Sequence, residues 1–199
     1  MKITDYTAVL RSKVAVCGNA TVGKSALVSM YTSQGQKFPK TYSMTMGVDI
    51  ILAQVPVPDT TILVELFLYD TAGYDVAKDT LAPNWDGIYY AILVYDVSSQ
   101  ESFESCKEWL EELKKARLDR ERPLKAVLVA TKSDLPAQRH QVSNDVAEVW
   151  ANANGMEFFA VSSAPPGLNV EAPFTAIGKA IHKNYEEKLT AYQDACQNY

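Results

Sequence analysis

Residues 18–25 read Gly-Asn-Ala-Thr-Val-Gly-Lys-Ser, and each residue type in that order has a use in holding phosphate. Gly18 and Gly23 lack a Cβ, so the backbone between them can turn its N–H groups inward. Those N–H groups, carried by Asn19, Ala20, Thr21 and Val22, form a nest for anionic oxygens at the start of a helix. Lys24 places a compact positive charge on the outer phosphates. Ser25 offers a hydroxyl oxygen, the hard ligand that Mg2+ prefers. The bland alternative, a glycine turn with a surface lysine, leaves unexplained why the motif follows a predicted strand and opens a predicted helix.

Two further segments could complete such a site. Thr131-Lys132-Ser133-Asp134 follows a strand that ends at Ala130. Guanine presents two adjacent donors, and an ionised carboxylate at Asp134 can accept both. Adenine lacks that pair and would leave the carboxylate unsatisfied. The alkyl stem of Lys132 can lie along the face of the base. Alone the segment is a short pattern, and a helix cap by Asp134 would serve as well. Asp70-Thr71-Ala72-Gly73 closes another strand. There Asp70 can hold a metal-bound water and Gly73 can offer its N–H to a terminal phosphate. Without the first motif this segment would read as an ordinary turn.

These residues need a scaffold. The chain has 199 residues, 47% of them hydrophobic and 22% charged, with a net charge of −5. One domain of that size buries roughly 70% of its unfolded surface and needs no disulfide. A net-acidic chain without basic runs does not suit nucleic acid or an anionic membrane. Three scattered cysteines, Cys17, Cys106 and Cys196, imply a reducing compartment. Short β-rich runs at Lys13–Cys17, Val48–Val57, Thr61–Tyr69, Tyr90–Tyr95, Leu124–Ala130 and Phe158–Val161 are predicted strands. Helices are predicted at Ser25–Tyr31, from Ser98 to about Arg117, at Ser143–Asn154, and through Phe174, Ile177 and Ile181. Ser98 to Glu101 reads as the capping box of the second helix. Alternating strands and helices imply an α/β fold, a mostly parallel sheet covered on both faces. The domain core is expected over about 12–185, with a short polar extension at 186–199.

No secretory signal is expected from the first ten residues, and Lys2 excludes N-myristoylation. The longest apolar run, Ile88–Tyr95, is far too short to span a bilayer. Cys196 stands fourth from the end, but Gln197 and Asn198 are polar where prenylation needs aliphatic residues, so no direct lipid anchor is expected.

The three motifs, in this order, resemble the Ras-like small GTPases over roughly Lys13 to Ile181, and their Rab branch most. Met46-Gly47-Val48-Asp49-Ile50 is similar to the Rab signature after the first switch, and Tyr90 to Phe103 to its central strand and following helix start. Ser162-Ser163-Ala164 resembles the third base-binding loop. The resemblance implies a small G-domain with the P-loop NTPase fold: six strands, mostly parallel with one antiparallel, and helices on both faces. It implies GTP or GDP and Mg2+ as ligands. Ser25, Thr45 and, through water, Asp70 would serve the metal. Phe38 would pack against the base, Tyr42 would cover the phosphates, and Ser163 and Ala164 would meet the guanine oxygen. The chain as a whole resembles the Rab-like GTPases of intraflagellar transport. That likeness implies the cytoplasm and the cilium or flagellum, a heterodimer with a small β-sandwich subunit, and membership of transport complex B. Effectors would engage the switch regions.

The departures bear on chemistry. Tyr74 stands where the family has the glutamine that orients the attacking water, so slow hydrolysis with retained binding is expected. A partner-contact role for Tyr74 is compatible with that. Thr131 replaces a commoner asparagine and Pro165 a commoner lysine. Ser25 and Thr45 are spaced about two residues wider than is typical, which implies a looser first switch. Three readings follow: a GTP-dependent switch with weak turnover, a structural subunit stabilised by a permanently bound nucleotide, and an ATP-dependent kinase of similar fold. Thr131–Asp134 disfavours the last.

Overall fold

The computed structural model describes residues 6–73, 82–116 and 122–197. Six strands, β1 (Ala8–Cys17), β2 (Val48–Pro56), β3 (Ile62–Thr71), β4 (Tyr90–Asp96), β5 (Lys125–Thr131) and β6 (Glu157–Ala160), form one sheet in the order β2-β3-β1-β4-β5-β6. β2 runs antiparallel to β3, and every other neighbouring pair is parallel. The α-helices among the described residues are α1 (Lys24–Thr32), α2 (Gln100–Ala116), α3 (Asn144–Ala153) and α4 (Ala172–Gln197). This is the expected six-stranded α/β architecture.

Side chains alternate across a strand, so apolar residues in succession must feed two cores. Ile92 and Val94 of β4 join Val14 and Val16 of β1 beneath Leu27 of α1 and Phe174, Ile177 and Ile181 of α4. Leu93 and Tyr95 point the other way, to Phe103, Cys106 and Trp109 of α2 and to Ala147 and Ala151 of α3. All seven residues of β4 are buried. Burial on both faces is why this strand reads as a continuous apolar run rather than an alternating one. Tyr31 of α1 stacks on Phe174 of α4 with ring centroids 3.9 Å apart, closing the first core at its edge.

The register decides what stands beside what. Val16 pairs with Asp70, Cys17 with Leu93, and Asp96 with Thr131. The carboxyl ends of β1, β3, β4 and β5 therefore share one edge of the sheet. Segments 18–25, 70–73 and 131–134 leave that edge side by side, where open α/β sheets bind ligands.

Most element ends fall within one or two residues of the expectations, and three features differ further. β1 begins at Ala8 rather than Lys13, because Ala8 to Lys13 also pair with β3. The cap of α2 is Ser99, whose hydroxyl accepts the N–H of Ser102 at 3.2 Å. Ser98 instead donates its N–H and its hydroxyl to Asp96 Oδ1, at 2.8 and 2.7 Å, so the box predicted from Ser98 to Glu101 does not form. A carboxylate is the stronger acceptor and takes the serine from the helix. Finally, residues 186–197, expected as a polar extension, continue α4 to Gln197. No described helix is long and apolar enough to cross a membrane.

Candidate functional site

A cavity of about 250 Å³ opens at the shared strand edge. Ala20, Thr21, Gly23, Lys24 and Ser25 line one side, Phe38, Tyr42 and Thr45 another, and Gly73 and Lys132 complete it. Its floor is the N-terminus of α1. That helix starts from Gly23 in the left-handed region (φ 102°), with no capping side chain and no acidic residue in its first turn. Its first N–H groups have no intrahelical partner and point toward the cavity, an arrangement suited to an anion.

Lys24 is 6% exposed, and its ammonium donates to the carbonyls of Gly18 and Asn19 at 2.8 and 2.9 Å. Burial pushes its pKa down, against the pull of the Asp70 carboxylate. Asp70 is shifted the other way. Burial raises it above the usual carboxylate range, with the Ser25 hydroxyl and the Lys24 charge opposing and Asp49 adding to the rise. Both buried charges gain from opposite charge brought into the cavity. Asp70 Oδ1 is buried with no hydrogen-bond partner among the described residues. The hydroxyl oxygens of Ser25 and Thr45 lie 3.3 Å apart beside it. A carboxylate oxygen and two hydroxyls make a hard donor set that fits Mg2+.

The two motif glycines are held by contact. A Cβ on Gly18, whose φ is 149°, would lie 2.0 Å from the Val94 carbonyl oxygen. A Cβ on Gly73 would lie 2.3 Å from the Ala20 nitrogen, so the segment after β3 rests directly on the phosphate loop.

At the other end, Asp134 Oδ1 accepts the hydroxyl of Ser162, and Ser162 Oγ accepts the N–H of Ala164 at 3.1 Å. Ser162 thus ties the third loop to the acid expected to read the base. The Ser163 hydroxyl is buried without a partner among the described residues. Lys132 sits in the left-handed region, with φ 59°. Thr131 donates one hydroxyl proton between the Val22 and Tyr95 carbonyls, so it does tie the phosphate loop to β4. An asparagine would bring two protons to those two acceptors. Thr131→Val keeps the shape and removes the proton, and is expected to cost about 1–3 kcal/mol of stability. Urea unfolding of the two proteins measures that difference.

The chain matches the Ras family model over residues 13–183. It belongs to the Ras family. It is 61% identical over 199 residues to "Intraflagellar transport protein 27" of Chlamydomonas reinhardtii, covering 100% of this chain and 98% of that protein. The "Intraflagellar transport protein 27 homolog" of Mus musculus is 40% identical over 183 residues, 92% of this chain and 96% of the mouse protein. "Ras-related protein Rab7" of Glycine max is 32% identical over 183 residues, 91% of this chain and 87% of the soybean protein.

Ten of the residues chosen from sequence line the cavity, while Gly18, Asn19, Val22, Asp70, Thr131, Asp134, Ser163 and Ala164 are not among its lining. Asn19 is turned away from it. Its carboxamide accepts the Trp109 indole N–H at 2.9 Å and donates to Ser105 Oγ at 3.0 Å, fixing the loop to α2. Only its backbone is free to serve an anion. Tyr74 lies outside the described residues. Ser162 has a bonding role that its sequence neighbourhood alone did not assign. The signal for it was the serine pair at a strand end, where one hydroxyl can face the adjacent loop.

Proposed function

We propose that this chain is a guanine-nucleotide-binding, Rab-like small GTPase of intraflagellar transport, working in the cytoplasm and the cilium or flagellum with slow intrinsic hydrolysis. One observation carries the nucleotide reading. An uncapped helix N-terminus and a buried ammonium share a cavity with Lys132, and Asp134 follows two residues later in the segment that leaves the end of β5.

In this reading the N–H groups of residues 19–25 hold the phosphates, and Lys24 neutralises the outer ones. Asp134 accepts the two guanine donors. Phe38 and the stem of Lys132 contact the base, Tyr42 covers the phosphates, and the backbone at Ser163 and Ala164 meets the guanine oxygen. Ser25, Thr45 and, through water, Asp70 would hold Mg2+, which when bound neutralises phosphate charge. Thr45 and Gly73 sense the third phosphate and draw their segments toward it, so the surface at 46–49 changes with nucleotide state and presents an effector site. Calorimetry with Mg2+ present is expected to show uptake of GDP and GTP and little of adenosine forms. No uptake of guanine nucleotide, or equal preference for adenine, overturns the reading.

Hydrolysis depends on orienting a water, and a phenol on a rigid ring at Tyr74 does not place one as a carboxamide does. Tyr74→Gln is expected to raise the single-turnover rate by about tenfold or more, about 1.4 kcal/mol of barrier. A wild-type rate already equal to that of ordinary family members would defeat this account.

The two full-length relatives named for intraflagellar transport support a place in that machinery. The family likeness adds a small β-sandwich subunit as heterodimer partner and complex B as the assembly. Tyr74 also favours a second reading, in which the nucleotide is a permanent structural ligand. Partner binding that is the same with GDP and with a non-hydrolysable triphosphate would select that second reading.

A further inference from the structure

We propose that Asp96 is the positioning residue that makes a platform for the base out of Lys132. The inference rests on the reading of the cavity as a guanine-nucleotide site. A lysine stem has four rotatable bonds, and ordering it costs about 1.5–2 kcal/mol when nothing holds its end. Here both ends are held. The backbone of Lys132 lies in the left-handed region (φ 59°), and its carbonyl accepts the N–H of Leu135 at 3.0 Å. Its ammonium meets Asp96 Oδ2 at 2.5 Å. The carboxylate is itself fixed, because Oδ1 accepts two bonds from Ser98, at 2.8 and 2.7 Å.

The side chain of Asp96 is 11% exposed and that of Lys132 41%. Burial alone would raise the Asp96 carboxyl, but the bonds from Lys132 and Ser98 outweigh it and hold the group below the usual carboxylate range. The carboxylate and the ammonium form a salt bridge. Lys132, held at both ends, lines the same cavity as Phe38. Neutralising the ammonium at Asp96 leaves an apolar stem, rather than a hydrated charge, to meet the flat face of a purine. The device is built across strands. Asp96 ends β4, Thr131 ends β5 directly opposite, and Lys132 follows.

Asp96→Asn keeps an acceptor for Ser98 and removes the charge that holds Lys132. Lys132→Met keeps an apolar stem and removes the ammonium. Dissociation rates of GDP and of inosine diphosphate, which lacks the exocyclic amine, are measured on both variants, on the double variant and on the wild type. Each single variant is expected to release GDP about tenfold faster, the equivalent of about 1.4 kcal/mol, and the double variant no faster than either. The ratio of GDP to inosine diphosphate rates should stay at the wild-type value, since the platform meets the ring face and Asp134 reads its edge. An unchanged GDP rate in Asp96→Asn overturns the proposal, as does multiplication of the two effects in the double variant. A collapse of the ratio shows instead that the loop carrying Asp134 has come apart, and also overturns it. A wild type that binds no GDP refutes the site reading itself, a separate outcome.

Discussion

Replacing Lys24 by alanine is expected to weaken GDP binding by about a thousandfold, about 4 kcal/mol. The ammonium is 6% exposed and sits between the Gly18 and Asn19 carbonyls, so it is part of the loop and close to where phosphate would lie. Hydrogen bonds to a charged group contribute about 1.5–3 kcal/mol each, and the variant loses those to phosphate together with the two that shape the loop. Burial has already made the charge costly, as its lowered pKa records, so an anion brought beside it returns more than it would at the surface. Arginine should not rescue the variant, because a planar fork cannot occupy the space of a point charge enclosed by backbone. Calorimetry with Mg2+ present measures the loss. A decrease below tenfold would mean that the helix N-terminus alone supplies the affinity.

Gly18→Ala is expected to cost at least about 4 kcal/mol of folding stability, a large part of what a domain of this size has. The added Cβ would lie 2.0 Å from the Val94 carbonyl oxygen and 3.1 Å from its carbon. Val94 is in the middle of β4, which pairs with β1 on one side and β5 on the other, so it cannot yield without opening the sheet. The backbone at residue 18 also has φ 149°, a conformation that side chains disfavour. Urea denaturation, or loss of soluble protein, measures the effect. A midpoint within the error of the wild type would show that the contact between the loop and β4 is looser than described.

Some features were legible because neighbouring residues settle them. Glycines at 18 and 23 constrain one short piece of backbone, and that piece turns between β1 and α1 with both glycines at positive φ, as the motif requires. The run Tyr90–Tyr95 is apolar on both faces, so it had to lie between two helical layers. Other boundaries depended on competition. Ser98 and Ser99 are chemically alike, and only the nearness of the Asp96 carboxylate decides that Ser99 caps the helix. The run of α4 past residue 186 was not legible, because its later residues are exposed and the apolar spacing that marks a helix in sequence ends before the helix does.

The sequence by itself determined the strand–helix order, the phosphate loop, the acid at 134 and the Ras-family resemblance, since each is written in residues close together along the chain. The tertiary structure decided which side chains meet. The carboxamide of Asn19 serves Trp109, ninety residues away, rather than the cavity, and Asp96 meets Lys132 across thirty-six. Such pairs are set by strand register and helix docking. A hydrogen bond or ion pair needs its atoms within about 3 Å, and only the assembled sheet fixes positions that finely.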